Sequence, residues 1–306
     1  MSRTVTVTTP ATSANLGPGF DSFGLALELR NRFSAELADE WAVQVAGEGA
    51  GRLPTGASNR VARSMQRLFA EVGEEGRAAR VSCENRIPQA AGLGSSAAAI
   101  VGGLVLANEL VSAGLDRAAL LDLAAGLEGH PDNVAAALWG GFTISWHSDG
   151  LHCAAIEPAG GLAVVVVTAD GSLPTGASRA LLPQSVPHAD AAFNAGRAGL
   201  LVAGIALGDA GALAAGLADR IHEPYRTDAV ADLGEVEAAL VAAGACGAAL
   251  SGAGPTVVGL VAGDDDEEAI ARATAVARSA RESVAALAGR HEPRVLGVSR
   301  HGTQLV

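Results

Sequence analysis

From Ser96 to Leu110 the chain reads SAAAIVGGLVLANEL, a helical stretch with one charge, Glu109, and apolar residues on nearly every side. A surface helix keeps a polar face toward water, so this one must be buried and the rest of the chain must wrap around it. Its N-terminus then points into the protein, where unpaired N–H groups and a positive dipole end require partners. At that end lies AAGLGSSAAA, Ala90 to Ala99, ten small residues with two glycines and two serines at their centre.

Gly92 and Gly94 let the backbone curl close to a ligand, and the helix behind them favours an anion. Ser95 or Ser96 either caps the helix or turns its hydroxyl toward a phosphate or a magnesium ion. The loop is neither a Walker A sequence, which ends in Gly-Lys-Ser/Thr, nor the dinucleotide fingerprint with its spaced third glycine. All 21 basic residues are arginine, which excludes mechanisms that need a catalytic lysine. A formal net charge of −12 opposes non-specific binding to nucleic acid or anionic membranes.

Composition sets the core. Hydrophobic residues make up 49% of the 306 but aromatics only 3%, so Ala, Val and Leu must fill the interior. The length is enough for about two domains. Cys83, Cys153 and Cys246 are far apart in apolar settings and read as buried thiols, not as a zinc site or disulfides. The N-terminal residues lack the apolar core of a signal peptide, and the longest uncharged run, Ile87 to Asn108, is broken by Pro, Gly and Ser; a cytoplasmic location is expected.

Thr4 to Thr9, DSFGLALEL, WAVQVAG and RVSCENRI read as strands, with a helix over SNRVARSMQRLFAEVG capped by Ser58. A short helix with Leu120, Leu121, Leu123 and Leu127 follows the buried one. GGFTISW, HCAAIEP and LAVVVVTAD continue as strands, and Pro158 to Gly161 is the expected hinge between residues 1–160 and 161–306. Ala-rich helices run from about His188 to Ala243. The strands CGAAL and TVVGLVA around the SGAGP loop, a helix from Asp266 to Ala288 and the strand PRVLGVS complete an α+β pattern with a second sheet.

Three further segments carry chemistry. In SANLGPGFD, Asn15 and Asp21 either offer an amide and a carboxylate to a cationic or hydroxylated ligand or form an Asx-type turn. LEGHPDN gathers Glu128, His130, Asp132 and Asn133 at a helix–loop–helix junction, with helix capping by Asp132 as the simpler alternative. Arg179 lies one helical turn after Thr175, and Arg226 follows a Pro-Tyr pair; either is a surface arginine or the planar fork for a carboxylate. The histidines outside LEGHPDN have no partner spacing, and His222 is merely near Arg226.

PQAAGLGSSAA, Pro88 to Ala98, resembles the phosphate-binding motif of the GHMP kinases, small-molecule kinases that include galactokinase, homoserine kinase and mevalonate kinase. PATSANLGPGFDSFGLAL, LEGHPDNVAAALWGGF and ALSGAGPTVVGL fall in the family's order and are nearest to its homoserine kinase branch. The resemblance implies an N-terminal domain like the second domain of ribosomal protein S5 and a ferredoxin-like α/β plait after it. It implies ATP bound by Asn59, Pro88, Gly92, Leu93, Gly94, Ser95, Ser96, Ala97, Ala98, Ser251, Gly252 and Gly254, with Mg²⁺ on Ser96 and Glu128. It further implies an amino acid alcohol, L-homoserine, held by Asn15, Asp21, His130, Asn133, Thr175, Arg179 and Arg226, and phosphorylated on the way to threonine. Asp132 or Asn133 would lie near the acceptor hydroxyl, and with Glu128 they form the catalytic group. Another small alcohol such as mevalonate, or a non-catalytic ligand-binding role, are the alternatives. Family members often form dimers, which leaves a homodimer open.

Overall fold

The computed structural model describes residues 3–168, 175–227, 229–230, 232–283 and 293–306. The chain opens with β1 (Val5–Ala14), β2 (Phe23–Ala38) and β3 (Ala42–Gly47), then α1 (Arg60–Glu71) and β4 (Ala78–Asn85). Helices α2 (Ser95–Leu110), α3 (Arg117–Glu128) and α4 (Asp132–Trp139) follow, then β5 (Phe142–His147) and β6 (Leu151–Ile156). The second half begins with β7 (Leu162–Val167) and continues through α5 (Thr175–Ala180), α6 (His188–Leu207), α7 (Ala210–Gly216), a 3₁₀ turn at Glu223–Tyr225 and α8 (Leu233–Ala242). It closes with β8 (Gly247–Leu250), β9 (Val257–Ala262), α9 (Asp266–Ser283), β10 (Pro293–Gly297) and β11 (Gln304–Leu305).

Helix α2 is the centre of the first half. It packs on β1 and β2 and is flanked by α1, α3 and α4. Ile100, Val101, Leu104, Leu106 and Ala107, which point in different directions around the helix, are all buried. The small residues have a specific use here: a side chain at Gly102 would strike the Phe33 ring, and one at Gly103 would strike the Val61 carbonyl of α1. The low aromatic content and the close helix packing are thus one property.

The first sheet runs β11-β1-β2-β4-β3, with β5 on the N-terminal part of the long β2 and β6 beyond it. The second is antiparallel in the order β10-β7-β9-β8, the α/β plait order. Strand β7 is buried at all six positions because both faces are covered. Ala163, Val165 and Val167 meet α8 and α9 through Val236, Leu240 and Ala273, whereas Leu162, Val164 and Val166 share a core with Leu25, Leu27, Phe142 and Leu201. A continuous apolar run is what such a strand requires. The shared core joins the two sheets, and the first glycine-rich loop and the start of α2 join it through Leu93 and Ala98.

Several sequence expectations are corrected. The cap of α1 is Asn59, not Ser58: its side chain accepts from Val61 N at 2.9 Å. Neither Ser95 nor Ser96 caps α2; that position is Gly94 in the left-handed conformation. At the end of the expected hinge, Gly161 N donates to Asp266 Oδ1 and Gly161 O accepts from Gly263 N. The chain also returns at its end, where β11 pairs with β1 in the first sheet. Helix α9 is described to Ser283, and Ala288 lies outside the described residues. Cys83 is buried while Cys153 and Cys246 are half-buried. Burial pushes the Cys83 thiol up to about 12 and the Cys153 thiol to about 11, so both are poor nucleophiles. Among the described residues no helix is long and apolar enough to cross a membrane.

Helix α8 holds a half-buried acid with one buried oxygen. Glu237 Oε1 has no hydrogen-bond partner among the described residues, and burial raises its pKa from 4.5 to about 7. A carboxyl whose folded pKa is raised stabilises the fold below its ordinary value and loses that contribution as pH rises through the folded value. Glu237→Gln is therefore expected to raise the melting temperature by a few degrees at about pH 8, with the gain vanishing toward about pH 5. Thermal scans across that range check it.

Candidate active site

The site is built where the ends of β1, α2, α3 and α4 meet the loop after β8. Gly92 and Gly94 both have positive φ, +72° and +66°. A Cβ on Gly92 would lie 2.7 Å from the Ser251 carbonyl oxygen, and one on Gly94 would overlap Thr12 Oγ1, so no other residue fits either place. The SGAGP loop is tied down on this turn: Ser251 Oγ donates to Gly92 O at 2.6 Å and Thr256 Oγ1 to Ala91 O. Asn15 Nδ2 donates to Gly252 O at 2.8 Å while its Oδ1 accepts from Asp21 N at 3.0 Å. Residues more than two hundred positions apart thus form one rigid cradle.

On the other side Ser96 Oγ donates to Glu128 Oε2 at 2.6 Å. The hydroxyl is in the first turn of α2 and the carboxylate in the last turn of α3, which the left-handed Gly129 terminates. Only Gly129, His130 and Pro131 separate α3 from α4, so the polar residues of LEGHPDN are forced onto the same wall. His130 Nδ1 and Asp132 Oδ1 are 2.5 Å apart, and the same oxygen accepts from Asn133 N at 2.7 Å. Burial pulls the His130 pKa down, but the hydrogen bond and charge of Asp132, with the charge of Glu128, outweigh it and raise the pKa above the ordinary histidine value. Asn133 Oδ1 accepts from Thr12 Oγ1 at 2.8 Å, which fixes its amide.

The third wall carries the arginines. Arg179 grips Asp21 in a bidentate pair, Nη1 to Oδ2 at 2.7 Å and Nη2 to Oδ1 at 2.5 Å. Its guanidinium lies 5.6 Å from the centre of the Phe20 ring, and that of Arg226 lies 5.5 Å from the same ring. Arg226 is 2% exposed, and its Nε has no hydrogen-bond partner among the described residues. Burial, followed by repulsion from Arg179, lowers its pKa. Two guanidiniums that repel one another beside one ring, one with an unpartnered buried nitrogen, form a setting that an anion would relieve.

His222 holds that arginine. It is fully buried, stacks on Phe20 at 5.2 Å, donates from Nε2 to Gly17 O at 2.6 Å and accepts at Nδ1 from Arg226 Nη1 at 3.1 Å. Burial lowers its pKa, consistent with the neutral ring that those two bonds require.

These walls enclose a cavity of about 330 Å³ lined by the glycine loop, Ser96, Glu128, Asp21, Arg179 and Arg226. A second cavity of about 410 Å³, between Phe33, Pro54, Asn59 and Gln89, shares Ala90, Ser95 and Ser96 with it. Among the residues expected from sequence, Asn15, Asp21, Gly92, Gly94, Ser95, Ser96, Glu128, His130, Asp132, Asn133, Arg179, Arg226, Gly252 and Gly254 line the first cavity, and Asn59 the second. Leu93, Ala97 and Ala98 are core residues, and Pro88 borders neither cavity. Ser251 is buried with its hydroxyl committed to the loop contact. The side chain of Thr175 lies outside the described residues. Phe20 and His222 are additions; the four-residue spacing of His222 and Arg226 is the signal that places them side by side.

The donor set suits a hard divalent cation bound together with phosphate. Ser96 and Glu128 offer oxygens 2.6 Å apart, and among the described residues no cluster of three or more His, Cys, Asp or Glu could enclose a metal by itself. Magnesium keeps several waters and takes phosphate oxygens alongside one or two carboxylates.

An α+β chain with a glycine-lined anion cradle, a Ser–Glu pair and a walled polar cavity has the makings of a phosphotransferase. The sequence matches the GHMP kinases N terminal domain over residues 59–141 and the GHMP kinases C terminal domain over 201–278, and the chain belongs to the GHMP kinase family of small-molecule kinases. Relatives that it matches over most of its length include homoserine kinases. That of Streptomyces coelicolor is 45% identical over 87% of this chain and 88% of its own, and that of Moorella thermoacetica 41% identical over 89% and 92%. The crystal structure of homoserine kinase from Cytophaga hutchinsonii superposes with a TM-score of 0.86 at 27% identity, covering 99% of this chain and 97% of the other.

Proposed function

We propose that the protein transfers the γ-phosphoryl group of ATP to the side-chain hydroxyl of L-homoserine, giving O-phospho-L-homoserine. The observation that carries this is the pairing of opposite charges in one cavity: Asp21 on one hand, Arg179 and Arg226 on the other, all facing the glycine loop. A free amino acid brings an ammonium and a carboxylate, and it re-partners both. Its ammonium takes the place of Arg179 on Asp21, and its carboxylate takes the place of Asp21 on the arginines.

With the amino acid end fixed on that wall, the hydroxyl extends toward Asn133 and Asp132. Gly92, Gly94 and the first turn of α2 receive phosphate oxygens through backbone N–H groups, the work that a lysine performs in other folds. Ser96 and Glu128 would hold Mg²⁺, whose chemistry would be to neutralise phosphate charge. The Asn133 amide, held by Thr12, orients the acceptor, and Asp132 is held beside it by the His130 ring. Phosphoryl transfer depends mainly on alignment and charge neutralisation, so this set suffices without a dedicated strong base. Asn59 and the second cavity are placed to take the adenine end.

Phosphorus NMR of the product tests the proposal. A single phosphomonoester on homoserine's side-chain oxygen supports it, and phosphate released only to water opposes it.

A further inference from the structure

We infer that Arg60 supplies the positive charge that the glycine loop lacks, pairing with the outer phosphates of the bound nucleotide. The inference rests on the nucleotide reading above. Arg60 is the first residue of α1, next to its cap Asn59, and it lines the second cavity together with Ser95 and Ser96. Those two serines also line the first cavity, so a triphosphate reaching from one to the other passes Arg60.

Its present contact identifies where it points. Arg60 Nη1 lies 3.6 Å from Glu128 Oε2, the same oxygen that accepts from Ser96. That separation is longer than a hydrogen bond, and the Arg60 side chain is 53% exposed, so redirecting it costs little. When Glu128 serves a divalent cation it ceases to be a counter-charge for Arg60, and phosphate oxygens take that part.

Two further observations fit no structural role. The first turn of α1 contains no acidic residue, yet Arg60 stands at its very start, where a cation opposes the helix dipole. Its counter-charge comes from another helix, Glu128 of α3, and a local rule broken in this way points to function. The cationic groups on the first cavity have partners there: Arg179 has Asp21, Arg226 Nη1 has Gly252 O and His222, and His130 has Asp132. With Asp21, Glu128 and Asp132 on the same walls, a polyanionic ligand needs added positive charge.

Calorimetric titration with adenosine, AMP, ADP and ATP, in magnesium and without acceptor, tests this apart from turnover. Arg60→Ala is expected to weaken ATP and ADP by about tenfold, while adenosine stays within about twofold of the unmodified protein. Arg60→Lys should restore part of the loss. Arg67→Ala, on the same helix and paired with Glu71, should leave all four affinities unchanged. An equal loss for adenosine and ATP would make Arg60 a mere wall of the base cavity and overturn the inference, as would undiminished ATP binding by Arg60→Ala. If the unmodified protein bound no nucleotide, the kinase reading itself would fall and the inference with it. Binding of ATP by the unmodified protein with no contribution from Arg60 would remove the inference alone.

Discussion

Asp21→Asn is expected to lower kcat/KM for L-homoserine by about a hundredfold and to raise that for a hydroxy acid without an amino group. The reason is the bidentate pair in the free protein, in which both guanidinium nitrogens of Arg179 are satisfied by one carboxylate. A zwitterion replaces both members of that pair at once. A hydroxy acid satisfies the arginines but leaves Asp21 with no cation, and that unmatched charge is what rejects it. Removing one partner of a desolvated charge pair costs about 2–5 kcal/mol. Asp21 is one-third exposed, so solvent screening brings the effect toward the lower end of that range. The Asn variant keeps the shape and loses the charge, and the ratio of the two acceptors' kcat/KM values is therefore the quantity to measure. It should collapse toward unity, with melting temperature little changed because the pair is partly solvated.

Glu128→Gln should act on a different term. The amide preserves the size of the side chain and an oxygen for the Ser96 hydroxyl, but it removes the carboxylate charge that contacts the first turn of α2. Loss of one fixed electrostatic element at a phosphoryl centre typically costs about 10²–10³ in kcat. The expected result is a fall of about a thousandfold in kcat, a magnesium requirement displaced to higher concentration, and an unchanged KM for homoserine. Steady-state rates over a magnesium series check all three. A fall in homoserine affinity instead would place Glu128 on the acceptor wall.

How far the sequence reveals this depends on the range of each contact. The buried α2 follows from its own residues, because an all-round apolar helix has one destination, and β7 follows likewise from its unbroken valines. The need for glycine at 92 and 94 is legible as a loop, although the atoms that enforce it, the Ser251 carbonyl and Thr12, come from distant parts of the chain. Asn15 shows the limit of such reading. Its expected role is at the ligand, and while it lines the cavity its amide also donates to Gly252 O and accepts from the backbone of Asp21, contacts that the sequence does not show. The Phe20–His222–Arg226 stack is hidden for the same reason: Phe20 and His222 lie two hundred residues apart, and no periodicity records the contact. The return of β11 to the first sheet is two residues long and carries no strand pattern of its own. Chain-local chemistry is legible, and the second member of each long-range pair is not.

The most direct measurement is ADP release by the purified protein with Mg-ATP, comparing L-homoserine with D-homoserine, L-serine, mevalonate and no acceptor. Release that depends on L-homoserine, with the other acceptors far behind, is the predicted result. Release that is equal with mevalonate would contradict the charge-pair basis of recognition, and release independent of any acceptor would contradict the kinase assignment to homoserine.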